Sequence, residues 1–141
     1  MATQEQLNKL FEVANEAKKR AYCKYSNFRV GAALLCEDGT IISGCNVENG
    51  SYGLTICAER TAYTKAISEG HTKFKTIVVT TDVEDRFITP CGACRQFGIE
   101  FGNFDVYCVK PDLKSFFKST TSDLLPGSFT PADLDAPRTN N

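Results

Sequence analysis

From the N-terminus, hydrophobic positions first recur at helical spacing. Leu7, Leu10, Phe11, Ala14, Ala17 and Ala21 fall on one face of an α-helix. Thr3 followed by Gln6 has the form of a capping box, and Lys18, Lys19 and Arg20 come late, where cations suit the helix dipole. Together these predict an amphipathic helix over about residues 4–21. The period then changes. Phe28–Cys36 reads as a strand, Glu37-Asp38-Gly39-Thr40 as a turn and Ile41–Val47 as the returning strand, a hairpin marked by Asp-Gly between apolar runs. Glu48–Tyr52 is a polar loop. Helical spacing resumes at Cys57 through Ala58, Thr61, Ala62, Lys65, Ala66 and Ile67 and stops at Gly70. Thr76–Thr81 is β-branched at every position, as in a fully buried strand. A loop over Asp82–Pro90 leads to a short helix over Cys91–Phe101, then strands over Asp105–Val109 and around Ser115–Phe117. Pro126, Pro131 and Pro137 leave an irregular tail after about residue 126. A hairpin followed by helix–strand–helix–strand units predicts an α/β fold. In it, a mixed central sheet of about five strands lies between helices on both faces, a three-layer α/β/α sandwich.

Length and charge narrow the function. The 141 residues are the size of one domain, spanning 1–141. A hydrophobic fraction of 42% provides a real core and argues against a disordered chain. The formal net charge of −1 lacks the basic footprint of a nucleic-acid-binding domain. No segment approaches the roughly 18 consecutive apolar residues of a membrane span. The opening residues Met1 to Gln6 have neither the charged start nor the apolar run of a signal peptide. The chain is therefore expected in a reducing compartment, the cytoplasm or the nucleus as well. Seven cysteines are many for such a compartment. Their odd number disfavours a disulfide framework and favours metal or catalytic use of some. Cys23, Cys36, Cys45 and Cys108 read most simply as small core hydrophobes.

Two segments carry candidate chemistry, Thr55-Ile56-Cys57-Ala58-Glu59-Arg60 and Pro90-Cys91-Gly92-Ala93-Cys94. Each puts cysteine at the start of a predicted helix, where the dipole and unpaired N–H groups favour thiolate. Cys57, Cys91 and Cys94 can bind one Zn²⁺ and leave the fourth tetrahedral position open, the mark of catalytic rather than structural zinc. Glu59, two residues after Cys57, is placed to reach a water beside the metal rather than the metal itself. Other readings stand beside this one. Cys91 and Cys94 can be a thioredoxin-like redox pair, though Pro90 and the lack of an early strand leading into the motif do not suit that fold. A structural zinc can be closed by Cys23, Cys36, Cys45 or Cys108, but none of these belongs to a second metal-spaced pair. The cysteines can also be plain core. His71, the only histidine, lies past a helix-ending glycine and reads as a surface loop residue, so no Ser-His-Asp or Cys-His arrangement is available.

With these residues in hand, the sequence resembles the cytidine deaminases of pyrimidine salvage, in their short, single-domain, three-cysteine form. The spacing of one ligand, one residue, a glutamate and a later Pro-Cys-x-x-Cys is that of zinc deaminases. The likeness runs from about Tyr25 to Phe129. It is strongest in Phe28-Arg29-Val30-Gly31-Ala32-Ala33-Leu34, Asn46-Val47-Glu48-Asn49, Cys57-Ala58-Glu59-Arg60-Thr61-Ala62 and Pro90-Cys91-Gly92-Ala93-Cys94-Arg95-Gln96. Family members usually carry proline where this chain has Arg29. The resemblance implies hydrolysis of cytidine or 2′-deoxycytidine to the uracil nucleoside and ammonia, with one Zn²⁺ per chain on Cys57, Cys91 and Cys94 and Glu59 as proton shuttle. It further implies that Asn46 and Glu48 hold the ribose hydroxyls, that Phe28 lines the base pocket and that the Ala58 backbone reads the base carbonyl. Arg60 would donate to the zinc-binding sulfurs, restoring acidity to a centre that three thiolates leave at −1. Tyr52 and Phe129 would reach into a neighbour's site, which implies a homotetramer with shared active sites. Against a rival, a deaminase of single-stranded RNA or DNA, stand the near-neutral charge and the lack of a basic–aromatic stripe. A structural-zinc interaction module, the other rival, needs a fourth protein ligand.

Overall fold

The computed structural model describes residues 1–140. Its elements are α1 (Gln4–Lys18), β1 (Val30–Cys36), β2 (Ile41–Cys45), a 3₁₀ turn (Tyr52–Leu54), α2 (Ala58–Ser68), β3 (Phe74–Thr81), α3 (Gly92–Ile99), β4 (Asp105–Val109), β5 (Phe116–Thr120) and α4 (Pro131–Leu134). The five strands form one mixed sheet in the order β2-β1-β3-β4-β5. Only β3 and β4 run parallel, as a strand–helix–strand crossover through α3 requires; the other pairings are antiparallel.

Alternation along β1 divides the core. Ala33 and Leu35, with Val78, Tyr107 and Val109, face Leu7, Leu10, Phe11 and Ala14 of α1. Ala32, Leu34 and Cys36, with Ile77, Val79, Val106 and Cys108, face Ala58, Ala62, Tyr63 and Ala66 of α2. A strand buried on both faces reads as a near-continuous run of apolar or β-branched side chains, and β1 and β3 do so except at Lys75. The helices approach closely where glycine faces them. A Cβ on Gly31 would lie 2.0 Å from the Ala14 carbonyl oxygen of α1, and one on Gly44 would lie 2.4 Å from the Ala58 carbonyl oxygen of α2. Within the same core, Tyr63 of α2 stacks on Phe97 of α3 with ring centroids 5.9 Å apart, which ties α2 to α3.

The predicted and observed elements differ at their edges. The helix expected to reach residue 21 ends at Lys18, with Lys19 as its cap. The Lys18 ammonium is drawn to the end of β3, where it donates to the Thr81 carbonyl at 3.2 Å and pairs with Asp82 at 3.0 Å. The first strand begins at Val30 because Phe28 and Arg29 belong to the incoming loop. The last strand runs on to Thr120. In the tail, Pro131 opens a turn of helix at N1, and Thr130 and Asp133 make a capping box. His71 is half-buried rather than fully on the surface, its Nδ1 3.6 Å from Asp38 Oδ2. Among the described residues, no helix is long and apolar enough to cross a membrane.

Candidate active site

The three predicted ligands converge at two helix N-termini. Cys57 is the N-cap of α2 and Cys91 that of α3, while Cys94 lies in the first turn of α3. Their three Sγ atoms all lie within 4.8 Å of one another, and Cys57 and Cys91 are 3.7 Å apart. N-caps are ordinarily Ser, Thr, Asp or Asn, whose oxygens satisfy the free amides of the first turn. Neither cysteine makes such a bond, so the positive ends of two helices remain directed at sulfur. Arg60, in the first turn of α2, donates from Nη2 to Cys57 Sγ at 3.3 Å. Its Nε is buried without a partner among the described residues. An orphaned cationic donor beside a sulfur cluster fits a site built to hold those sulfurs as thiolates.

Proton affinities in the cluster follow the same arrangement. The Cys94 thiol beside Cys57, then Arg60 and Cys91, hold Cys57 down to about 5 against its burial. The same Cys57–Cys94 contact, with burial and the Glu59 charge, pushes Cys94 up. Cys94 and then Cys57 stabilise the Arg60 guanidinium in its charged form. Three thiol ligands at adjoining corners, soft and readily ionised, are a donor set suited to Zn²⁺.

Glu59 is 5% exposed. Burial pushes its carboxyl up to about 7. Its residual surface faces a cavity of about 240 Å³ that also exposes Cys57, Cys91, Phe28, Asn46 and Glu48. The cavity therefore gathers six of the residues singled out in the sequence. Thr76–Thr81 ends beside it, and ligand sites in open α/β sheets lie at the carboxyl ends of parallel strands.

Asn46 and Glu48 are already tied to the loop before β1. Asn46 accepts from the Val30 N–H at 2.9 Å and donates to the Phe28 carbonyl at 2.7 Å. Glu48 accepts from the amides of Tyr25 and Ser26 at 3.0 and 3.1 Å and from the Ser26 hydroxyl. The Ser26 hydroxyl bond, followed by these amides, holds the Glu48 carboxyl below the usual carboxylate range. Ala58, fully buried, puts its backbone N–H at the first position of α2, among the amides that have no partner within a helix.

Tyr52 and Phe129 are not brought into the cavity of their own chain. Tyr52 is 75% exposed and lines a neighbouring recess of about 200 Å³ with Tyr25 and Asn49, and Phe129 is 54% exposed. The cavity wall is completed by residues to which no motif assigns a role: Ser26, Val30, Thr55, Val79, Ile88 and Thr89. Arg95 lies inside the Pro90–Gln96 block of the resemblance but has no role assigned there, and it bonds to the loop that holds Thr89 and Pro90.

Comparison with known proteins points to a zinc-binding deaminase family. Residues 4–110 match the family described as the cytidine and deoxycytidylate deaminase zinc-binding region. A Dictyostelium discoideum protein named "Probable cytidine deaminase" is 64% identical over 133 residues, 94% of this chain and 90% of that protein. The cytidine deaminase of Sporosarcina psychrophila is 48% identical over 129 residues, 91% of this chain and 94% of that one. The crystal structure of cytidine deaminase from Burkholderia pseudomallei superposes with a TM-score of 0.83 at 42% identity, covering 91% of this chain and 100% of that chain.

Proposed function

The chain belongs to the family of cytidine and deoxycytidylate deaminases, and from that premise we propose how its residues divide the work. The enzyme is a zinc-dependent cytidine deaminase: cytidine and water give uridine and ammonia. 2′-Deoxycytidine, which differs only at a ribose hydroxyl, is taken as a second substrate. One observation carries the site assignment. A buried carboxyl, Glu59, shares a cavity with sulfur atoms that lie within 4.8 Å of one another.

Zinc held by Cys57, Cys91 and Cys94, one ion per chain, supplies Lewis acidity that makes a water acidic near neutral pH. Glu59 accepts a proton from the attacking water and delivers it to N3 of the pyrimidine, which leaves C4 electrophilic as the oxygen bonds to it. Glu59 then takes the remaining hydroxyl proton and delivers it to the amino nitrogen. The C4–N bond breaks, ammonia leaves and the C4 carbonyl forms. Arg60 withdraws charge from the sulfurs and keeps the centre acidic.

The other residues position the nucleoside. The Ala58 N–H, free at the start of α2, donates to the base carbonyl, and Phe28 packs against the ring. Asn46 keeps one amide proton, and Glu48 keeps lone pairs, beyond the bonds that fix them. Both are thus preorganised for the ribose hydroxyls. Tyr52 and Phe129 project outward and cover the cavity of a neighbouring subunit in a homotetramer. The protein acts in the cytoplasm.

A spectrophotometric assay on free cytidine, paired with metal analysis, tests the whole reading. The expected result is turnover to uridine with one zinc per chain. Full activity in metal-free protein would sink it.

A further inference from the structure

The guanidinium of Arg95 sends its three nitrogens to three different places. Nε donates to the Pro90 carbonyl at 2.8 Å, Nη1 to the Leu124 carbonyl at 2.8 Å and Nη2 to Thr89 Oγ1 at 2.9 Å. Pro90 precedes Cys91, Thr89 lines the cavity with Glu59, and Leu124 opens the segment that leads to Phe129. The next residue, Gln96, donates from Nε2 to the Phe129 carbonyl at 2.8 Å. Among the described residues, no carboxylate pairs with Arg95. Its fork is committed to placing backbone and one hydroxyl.

We propose that Arg95 is a positioning residue of the metal centre, which pins the 89–91 loop to α3 so that Cys91 meets Cys57 and Cys94, and which couples that loop to the C-terminal segment. The proposal rests on reading the three cysteines as zinc ligands. Cys91 is the ligand the fold holds least: it is exposed, and no regular structure runs from Asp82 to Pro90. Cys94, by contrast, is buried within α3. Pro90 has no N–H, so its carbonyl is the only backbone group by which it can be fastened, and Arg95 takes it. Lysine cannot replace the fork, because one ammonium does not reach three diverging acceptors.

The test is Arg95→Lys in the full-length, zinc-loaded protein. Outer partners of metal ligands typically govern affinity by about 10–100-fold, so zinc release to a chromogenic chelator is expected to accelerate about tenfold or more. KM for cytidine should rise, and amide hydrogen exchange across residues 122–129 should quicken. A merely structural arginine would instead lower the thermal midpoint and leave zinc release and KM of the folded protein unchanged. That pattern, in a parent protein that holds its zinc, would overturn the proposal alone. A parent protein that holds no zinc would overturn the ligand reading and the proposal with it. Should Arg95→Lys fail to fold, Thr89→Val removes a single acceptor. It should raise zinc release about twofold or more at an unchanged thermal midpoint, as expected for one lost outer-shell bond. No rise would count against the proposal.

Discussion

Glu59 occupies the second position of α2, one residue beyond the amide assigned to the base carbonyl and two beyond the N-cap sulfur. That placement lets its carboxyl face the cavity while staying almost wholly buried. Glu59→Gln keeps shape and a hydrogen bond but cannot carry a proton. Turnover is expected to fall by about 10⁴-fold, the upper end for general acid–base catalysis, because one group serves every transfer. Zinc content should not change. Turnover within about tenfold of the parent would mean that another group moves the protons. Arg60 makes a second test. Arg60→Gln leaves the thiolates uncompensated, so turnover should drop while part of the zinc is retained. An arginine without that role would be silent, within about 0.5 kcal/mol in stability and with normal kinetics. At this scale, what the sequence made legible was whatever a helical turn records as spacing: Cys57 to Glu59 to Arg60, and Cys91 to Cys94. Ser26, Thr55, Thr89 and Arg95 reach the site through loops or by a long side chain across elements. Their types are ordinary, and no periodicity marks where a loop will bring them.

The elements transmit this geometry to the site. β2 carries α2 at a separation that only glycine permits, since a Cβ on Gly44 would meet Ala58 O at 2.4 Å and Ala62 N at 2.6 Å, both backbone atoms. Gly44→Ala is expected to destabilise the fold by about 1–3 kcal/mol, the usual range for overpacking, read by urea unfolding. Because the displaced turn follows Cys57, zinc release should also quicken. A variant with the parent's stability would show that α2 can step back freely. Just past the end of β3, Asp82 ties α1 to the loop before β1, pairing bidentately with Arg29 at 2.8 and 3.1 Å and with Lys18 at 3.0 Å. Arg29 first, and Lys18 with it, holds the Asp82 carboxyl below its usual range. The folded state thus binds this proton less tightly than the unfolded chain. The stabilisation is therefore complete above the unfolded value of about 3.9 and lost as pH falls through the lower folded value. Asp82→Asn should cost about 0.2–1 kcal/mol at neutral pH, as for partly exposed pairs. The gap between variant and parent should close in acid, measured by urea unfolding of the metal-free proteins. A gap that does not depend on pH would dismiss the ion pair as its source. Strand order and layers were legible because alternation and β-branching report burial directly. The end of α1 was not, because it is set by where the Lys18 ammonium finds Thr81 and Asp82, 63 residues and more away.

Over the whole molecule, large apolar side chains are left uncovered, among them Tyr22, Tyr25, Tyr52, Leu54 and Phe129. Tyr25 and Tyr52 lie with ring centroids 5.8 Å apart and line a recess that shares Ser26, Glu48 and Thr55 with the cavity, and exposed apolar surface beside a ligand site is where interaction surfaces form. Gln96 fixes the Phe129 carbonyl, while the Phe129 ring is exposed and does not line the cavity of its own chain. Under the proposed assembly such a ring would serve a neighbouring subunit, and that is open to test. Phe129→Ala should raise KM about tenfold or more without removing zinc, as expected for a lost stacking contact of about 1–3 kcal/mol. Activity should also fall on dilution below the assembly's dissociation constant. Mixing Phe129→Ala chains with Glu59→Gln chains separates the two geometries. In a hybrid, the site that retains Glu59 belongs to the Phe129→Ala chain, and the ring that covers it comes from the Glu59→Gln partner. Tight-binding, active sites absent from both parents should then appear, in proportion to the hybrid interfaces formed. If Phe129 served its own subunit, each site would still lack either the ring or the proton shuttle, and mixing would recover nothing. A fully active monomer by light scattering would likewise place the ring in its own subunit and end the shared-site reading.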